Sequence, residues 1–209
     1  MYIDNISEFG AHKPSLLVGL IIKITRSLGK NWFSKRLIFF LRRVALNFSG
    51  ECIDTELFQG QTRLYTKGNI CEKRALFSPQ IFERFERNFI SSYAKDGSIF
   101  IDIGSNIGLY SIYSTSIHEN IEVVSFEPST SNLRSLSRNI SINNLYDKIK
   151  IFQIALTNKS NVILDMKESK FSEGGSISTF GENILIPFVS CPIGSSPQKI
   201  FTVSFNGVF

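Results

Sequence analysis

The segment that most constrains this chain is Ile99-Phe100-Ile101-Asp102-Ile103-Gly104-Ser105-Asn106-Ile107-Gly108. An apolar run broken by one carboxylate reads as a buried strand, Gly104 supplies a tight turn, and a helix candidate, Ile107 to Ile117, begins at once. A second apolar strand, Glu122 to Phe126, follows, then a helix candidate from Ser129 to Ile140 with Ser129 or Thr130 as N-cap, then a third strand, Ile149 to Ile154. Alternation of this kind predicts an α/β fold with parallel strands and right-handed helical crossovers. Val162 to Met166 reads as a further strand before the Gly174-Gly175 turn, and Pro187, Pro192 and Pro197 interrupt any regular element beyond it.

In open α/β sheets ligands lie outside the carboxyl ends of the strands, so the turn at Gly104 points at a binding crevice. Glu127 follows the second strand directly, 23 residues after Gly104. A carboxylate there can accept hydrogen bonds from both hydroxyls of a ribose. Asp102 is suited to a cationic amino group, and the amides near Ser105 and Asn106 to a carboxylate, so the loop as a whole fits the methionine end of S-adenosylmethionine. Gly108, one turn later, allows close helix packing. The rival is a nicotinamide or flavin domain of an oxidoreductase, which normally shows GxGxxG to seat a pyrophosphate. Here the spacing is Gly104-xxx-Gly108, and Asp102 would repel a pyrophosphate while attracting an ammonium or sulfonium.

Composition excludes several alternatives. With 43% hydrophobic and 20% charged residues in 209, the chain reads as one globular domain with an N-terminal elaboration. Cys52, Cys71 and Cys191 are widely spaced and read as reduced, buried thiols; with only His12 and His118 besides, no metal site and no Ser/His/Asp triad is expected. The net charge of +5 is concentrated at one end: residues 13–50 hold eight basic residues and no acidic one. Leu16, Leu17, Leu20, Ile21 and Ile24, then Leu37, Phe40, Leu41 and Val44, recur at helical spacing and predict two amphipathic helices separated near Gly29 to Asn31. Three readings of 13–50 are weighed: first a helical cap with solvated cations, then peripheral contact with an anionic membrane surface, and last nucleic-acid binding. Neither apolar stretch reaches membrane-spanning length, and no leader is read at the start, so a cytoplasmic location is expected, with the inner membrane surface as the alternative. The aromatic and basic interleaving of nucleic-acid recognition modules is missing, so no nucleic-acid partner is expected. Between Cys52 and Phe77 a short antiparallel hairpin or two is predicted, and Pro79 opens a helix running to Tyr93.

Four stretches, FIDIGSNIGLYSIY, VVSFEPSTSNLRSLSRNISINN, KIKIFQIALTNKS and GGSISTFG, together resemble the FkbM-type methyltransferases over Ser98 to Gly181, 84 of the 209 residues. The resemblance implies a Rossmann-like class I methyltransferase sheet and methyl transfer from S-adenosylmethionine to a hydroxyl of a sugar, glycan or other polar small molecule. Carried over by position, Asp102, Gly104, Ser105, Asn106 and Gly108 form the methionine-side loop and Glu127 the ribose contact; Ala155 stands where many relatives place an acidic residue against adenine. No residue is singled out as the catalytic base. The family continues with a fourth strand reading like I-K-I-D-x-x-G, and no such motif follows Phe180. The expectation is therefore a sheet truncated at its C-terminal half, exposing an edge of the first strand, and the alternative to an active enzyme is an inactive nucleoside-binding remnant. The corresponding division is a basic helical extension (1–50), a hairpin and helix elaboration (51–97), the cofactor-binding half-domain (98–181) and an irregular tail (182–209).

Overall fold

The computed structural model describes residues 4, 6–67, 70–156, 163–168, 178–185 and 200–202, the last three segments as strand backbone. Cys191, the Gly174-Gly175 turn and the three late prolines lie outside the described residues.

Two helices open the chain, α1 (Leu16–Ser27) and α2 (Trp32–Phe48). Ser15 caps α1 by accepting from the Val18 N–H, and Asn31 caps α2 by accepting from the Ser34 N–H at 2.8 Å. The break at residues 28–31 is where the sequence places it. The buried faces hold Val18, Ile21, Ile22 and Thr25 on α1 and Ile38 and Ala45 on α2, whereas Leu16, Leu17, Leu20, Ile24, Leu37 and Phe40 face outward. Both helices are thus apolar on two sides, which a single-face reading of the periodicity misses.

The predicted hairpin is β1 (Cys52–Leu57) and β2 (Gly60–Tyr65), antiparallel, with Leu57 opposite Gly60. Phe58 and Gln59 both adopt positive φ, 50° and 67°, as a two-residue hairpin turn matched to strand twist requires. The short helix α3 (Ile70–Phe77) follows, and its buried Glu72 accepts the Tyr65 N–H at 2.5 Å. Helix α4 (Arg84–Tyr93) starts five residues after Pro79, because Glu83 sits in the left-handed region at φ 45° and stops helical continuation toward the proline.

The expected strand and helix series then appears as β3 (Ile99–Ile103), α5 (Leu109–Thr115), β4 (Glu122–Phe126), α6 (Thr130–Ile142) and β5 (Ile149–Phe152). Ser129 is the N-cap of α6. Beyond these, β6 (Ile163–Glu168) and β7 (Ser178–Leu185) form an antiparallel ladder, and β8 is Ile200–Thr202. The main sheet has the order β5-β4-β3-β8, every pair parallel. This is one half of a doubly wound, Rossmann-like α/β sheet with the first strand of the series at an inner position. The exposed edge expected beside β3 is covered over part of its length: Ile99, Phe100 and Ile101 pair with Ile200, Phe201 and Thr202. Three residues of parallel pairing need no sequence motif, so no strand was visible there.

Two clusters of buried side chains fill the molecule. One joins α1, α2, the hairpin and α3, and includes Val18, Ile53, Leu64 and Phe77; the other lies between the sheet and its helices, and includes Phe100, Val123, Leu136 and Ile140. Ile107, from the turn after β3, belongs to the first cluster, and Ile112, from α5, to the second. The turn is therefore wedged between the two cores.

Candidate functional site

At the carboxyl end of β3 and β4, backbone conformation and two buried carboxylates define the candidate site. Gly104, Asn106 and Gly108 all have positive φ, 75°, 51° and 85°. For Gly104 and Gly108 the missing Cβ makes this free of strain, and a Cβ on Gly108 would also come within 2.5 Å of Leu136 Cδ1 on α6. Asn is the non-glycine residue that tolerates the left-handed region best. The loop is tied to the neighbouring strand: the amides of Gly104 and Ser105 both donate to the Phe126 carbonyl, at 2.8 and 3.1 Å.

Glu127 is buried, and its carboxylate gathers the loop and the start of α6 together. One oxygen accepts the Asn106 N–H at 2.8 Å; the other accepts the Ser129 N–H at 2.9 Å and Asn132 Nδ2 at 3.3 Å. The amides near Ser105 and Asn106, assigned from sequence to a ligand carboxylate, are here turned to Phe126 and Glu127.

Asp102 is 2% exposed. Ser111, one turn into α5, donates to its Oδ2 at 2.5 Å and shares a 2.8 Å hydrogen bond with Ser125 of β4. Among the described residues Asp102 has no ion-pair partner. Burial pushes its carboxyl up to about 6, the Ser111 hydroxyl works against this, and the Glu127 and Glu83 charges add to it. Glu83 is itself pushed upward by burial, and the neighbouring Tyr110 hydroxyl is held above its ordinary range by burial and by Glu83.

The structure thus brings together six of the seven residues singled out from sequence. Ala155 lies apart from them, half-buried three residues beyond β5, at the same end of the sheet but two strands from β3. Sequence reasoning missed Ser111, Ser125, Asn132 and Glu83. Ser125 is fully buried on its strand, which only the structure shows; Glu83 gave no signal either, since the helix expected from Pro79 would have contained it. Cys52 and Cys71 are free, and burial pushes both thiols up to about 11, so they rest protonated. No cluster of metal-binding side chains occurs among the described residues.

No family model and no curated protein matches this sequence. Solved structures resemble it over part of its length. P. horikoshii TYW2 in complex with MeSAdo is 18% identical over 55% of this chain and 40% of its own, with a TM-score of 0.43. The SAM-dependent methyltransferase from Agrobacterium tumefaciens is 13% identical over 51% of this chain and 33% of its own, TM-score 0.38. The M. jannaschii tRNA m1G37 methyltransferase is 17% identical over 51% and 32%, TM-score 0.38. The chain therefore spans less than half the length of each. The expectation of no nucleic-acid partner is corrected by this finding, since a tRNA methyltransferase stands among the structures that resemble the chain; action on tRNA is said of that neighbour and assigns no partner to this chain. That exclusion looked for aromatic and basic interleaving of small recognition modules, a pattern that does not cover every protein acting on RNA.

Proposed function

We propose that this chain is the cofactor-binding part of an S-adenosylmethionine-dependent methyltransferase. The observation that supports this most is the buried Asp102 carboxylate at the carboxyl end of an inner parallel strand, without a cation of its own among the described residues. A buried carboxylate lacking a counter-charge is costly, and a ligand carrying an ammonium and a sulfonium offsets that cost. The second carboxylate, Glu127, is held in one orientation by three donors beside the same loop, which suits it to a ribose. Gly104, at the turn itself, has no Cβ to block the approach of a ligand to the backbone, while the missing Cβ of Gly108 lets Leu136 of α6 pack against the turn.

On this reading Asp102 faces the amino group of the methionine moiety, Glu127 the ribose, and the turn from Gly104 to Gly108 forms the wall between them, with Ala155 toward the adenine. The bound cofactor supplies an electrophilic methyl group. The protein's contribution is electrostatic and positional, since the methyl acceptor gains only when donor and nucleophile are held in line. A hydroxyl of a sugar or other polar small molecule is the acceptor class implied by the FkbM resemblance.

Ligand-induced thermal stabilisation tests the reading. S-adenosylmethionine and S-adenosylhomocysteine are expected to raise the melting temperature in a concentration-dependent way, and NAD to leave it unchanged. Stabilisation by NAD alone would favour an oxidoreductase. Release of labelled product from methyl-labelled cofactor, across a panel of sugars and tRNA, then separates an enzyme from an inactive remnant.

A further inference from the structure

The two N-terminal helices present an apolar surface that the fold does not cover. Leu16 is 96% exposed, Leu20 56%, Trp32 62%, Phe33 76% and Phe40 61%, although Val18, Ile22 and Ile38 on the same helices are buried. Ten of the sixteen large apolar side chains exposed among the described residues belong to α1 and α2. Helices that are apolar on both sides are found where the second side meets an apolar medium.

Charge identifies the medium. Residues 13–50 hold eight cations and no anion, and none of the cations on α1 or α2 forms an ion pair among the described residues. Arg36 lies over the Trp32 ring at 5.1 Å and Arg42 over Phe39 at 5.0 Å, so cationic heads stand directly beside exposed aromatic rings. At 12 and 17 residues the helices are about 18 and 26 Å long, and no described helix is long and apolar enough to cross a bilayer. They suit the plane of an interface, with the aliphatic and aromatic groups below the headgroups and the guanidinium and ammonium groups among them.

We propose that α1 and α2 form a docking surface for an anionic lipid bilayer. Leu16, Leu20 and Ile24 gain nothing against a nucleic-acid backbone, which would use the cations alone, whereas a bilayer boundary uses both. Arg26 is engaged with the fold, donating to the Leu76 carbonyl and to Thr55; a second copy of the chain would bring the other seven cations against seven, with no anion on either segment. Each cation near an anionic surface strengthens attachment about fivefold.

The test uses the full chain and its single tryptophan, Trp32, as an internal probe. Phosphatidylcholine vesicles containing about one-third phosphatidylglycerol are expected to shift its emission to the blue and to carry the protein upward in flotation. Partition should be at least tenfold greater than onto phosphatidylcholine alone and should weaken with added salt. The Phe33→Ser/Phe40→Ser pair, altered only at exposed positions and checked by circular dichroism for an intact fold, should lower partition tenfold or more. Lys35→Glu/Arg43→Glu should remove only the preference for the anionic vesicles. Unchanged emission and no flotation with anionic vesicles at low salt would overturn the proposal. So would a lipid-free dimer that these variants dissociate, or emission that responds to tRNA and not to vesicles.

Discussion

The residue that carries most of the account is Asp102. Its carboxyl is raised by burial to about 6, so the folded protein holds this proton more tightly than the unfolded chain does. Its contribution to stability is therefore complete below about pH 4 and is lost as pH rises through about 6, roughly 3 kcal/mol in all. Asp102→Asn, which keeps a Ser111 partner, should melt at the same temperature as the parent near pH 4 and several degrees higher at pH 7.5; parallel pH profiles for the two proteins would remove the burial argument. A cationic ligand has the opposite preference, because it favours the ionised form, so affinity for S-adenosylmethionine should decline as pH falls below about 6. Gly108→Ala forces a side chain into φ 85° and a Cβ toward Leu136, and should cost about 1–3 kcal/mol in chemical denaturation. Asp102, Gly104, Gly108 and Glu127 were legible beforehand because the chemistry of a strand end and a tight turn leaves few residue choices. Ser111 and Ser125 were not, since a serine inside a buried network looks the same in sequence as a serine on a surface.

Among the elements, the hairpin turns out to support the site. Asn139 of α6 accepts the Arg63 N–H of β2 at 2.9 Å and donates through Nδ2 to the Ile107 carbonyl at 3.0 Å, so one buried side chain links the hairpin, α6 and the loop after β3. Asn143 repeats the device one turn later, accepting the Gln61 N–H and donating to the Gln61 carbonyl. Asn139→Leu leaves two buried backbone groups without partners, at about 1–3 kcal/mol each, and should weaken ligand binding together with stability; a stability loss with unaltered affinity would show that the link does not reach the loop. Helix α3 (Ile70–Phe77) falls in a stretch that reads as hairpin, because its eight residues are too few to show a helical repeat. Helix and strand identities were readable from periodicity for β1 and β2 and again from β3 to β5. The starting point of α4 was not, because a left-handed Glu83 has no sequence mark, and neither was the outward turn of α1 and α2, because periodicity gives a stripe but not which neighbour covers it.

For the whole molecule, the N-terminal segments and the half-sheet are interlocked. Arg63, fully buried, donates to both oxygens of Asp54, at 2.7 and 3.0 Å, and to the carbonyls of Asp4 and Glu8, pinning the first residues onto the hairpin. Removing one member of such a pair strands the other in the interior, so Arg63→Met should destabilise the fold by about 3–5 kcal/mol in urea titrations. The buried pair escapes sequence reading, since Arg63 and Asp54 lie on alternating strands among other polar residues. The measurement that bears most directly on the central claim is calorimetric titration of S-adenosylmethionine, and separately NAD, into the full chain and into Asp102→Asn and Glu127→Gln. The account predicts saturable binding of S-adenosylmethionine alone, weakened at least tenfold in each variant; binding that both variants leave intact, or binding of NAD instead, would contradict it.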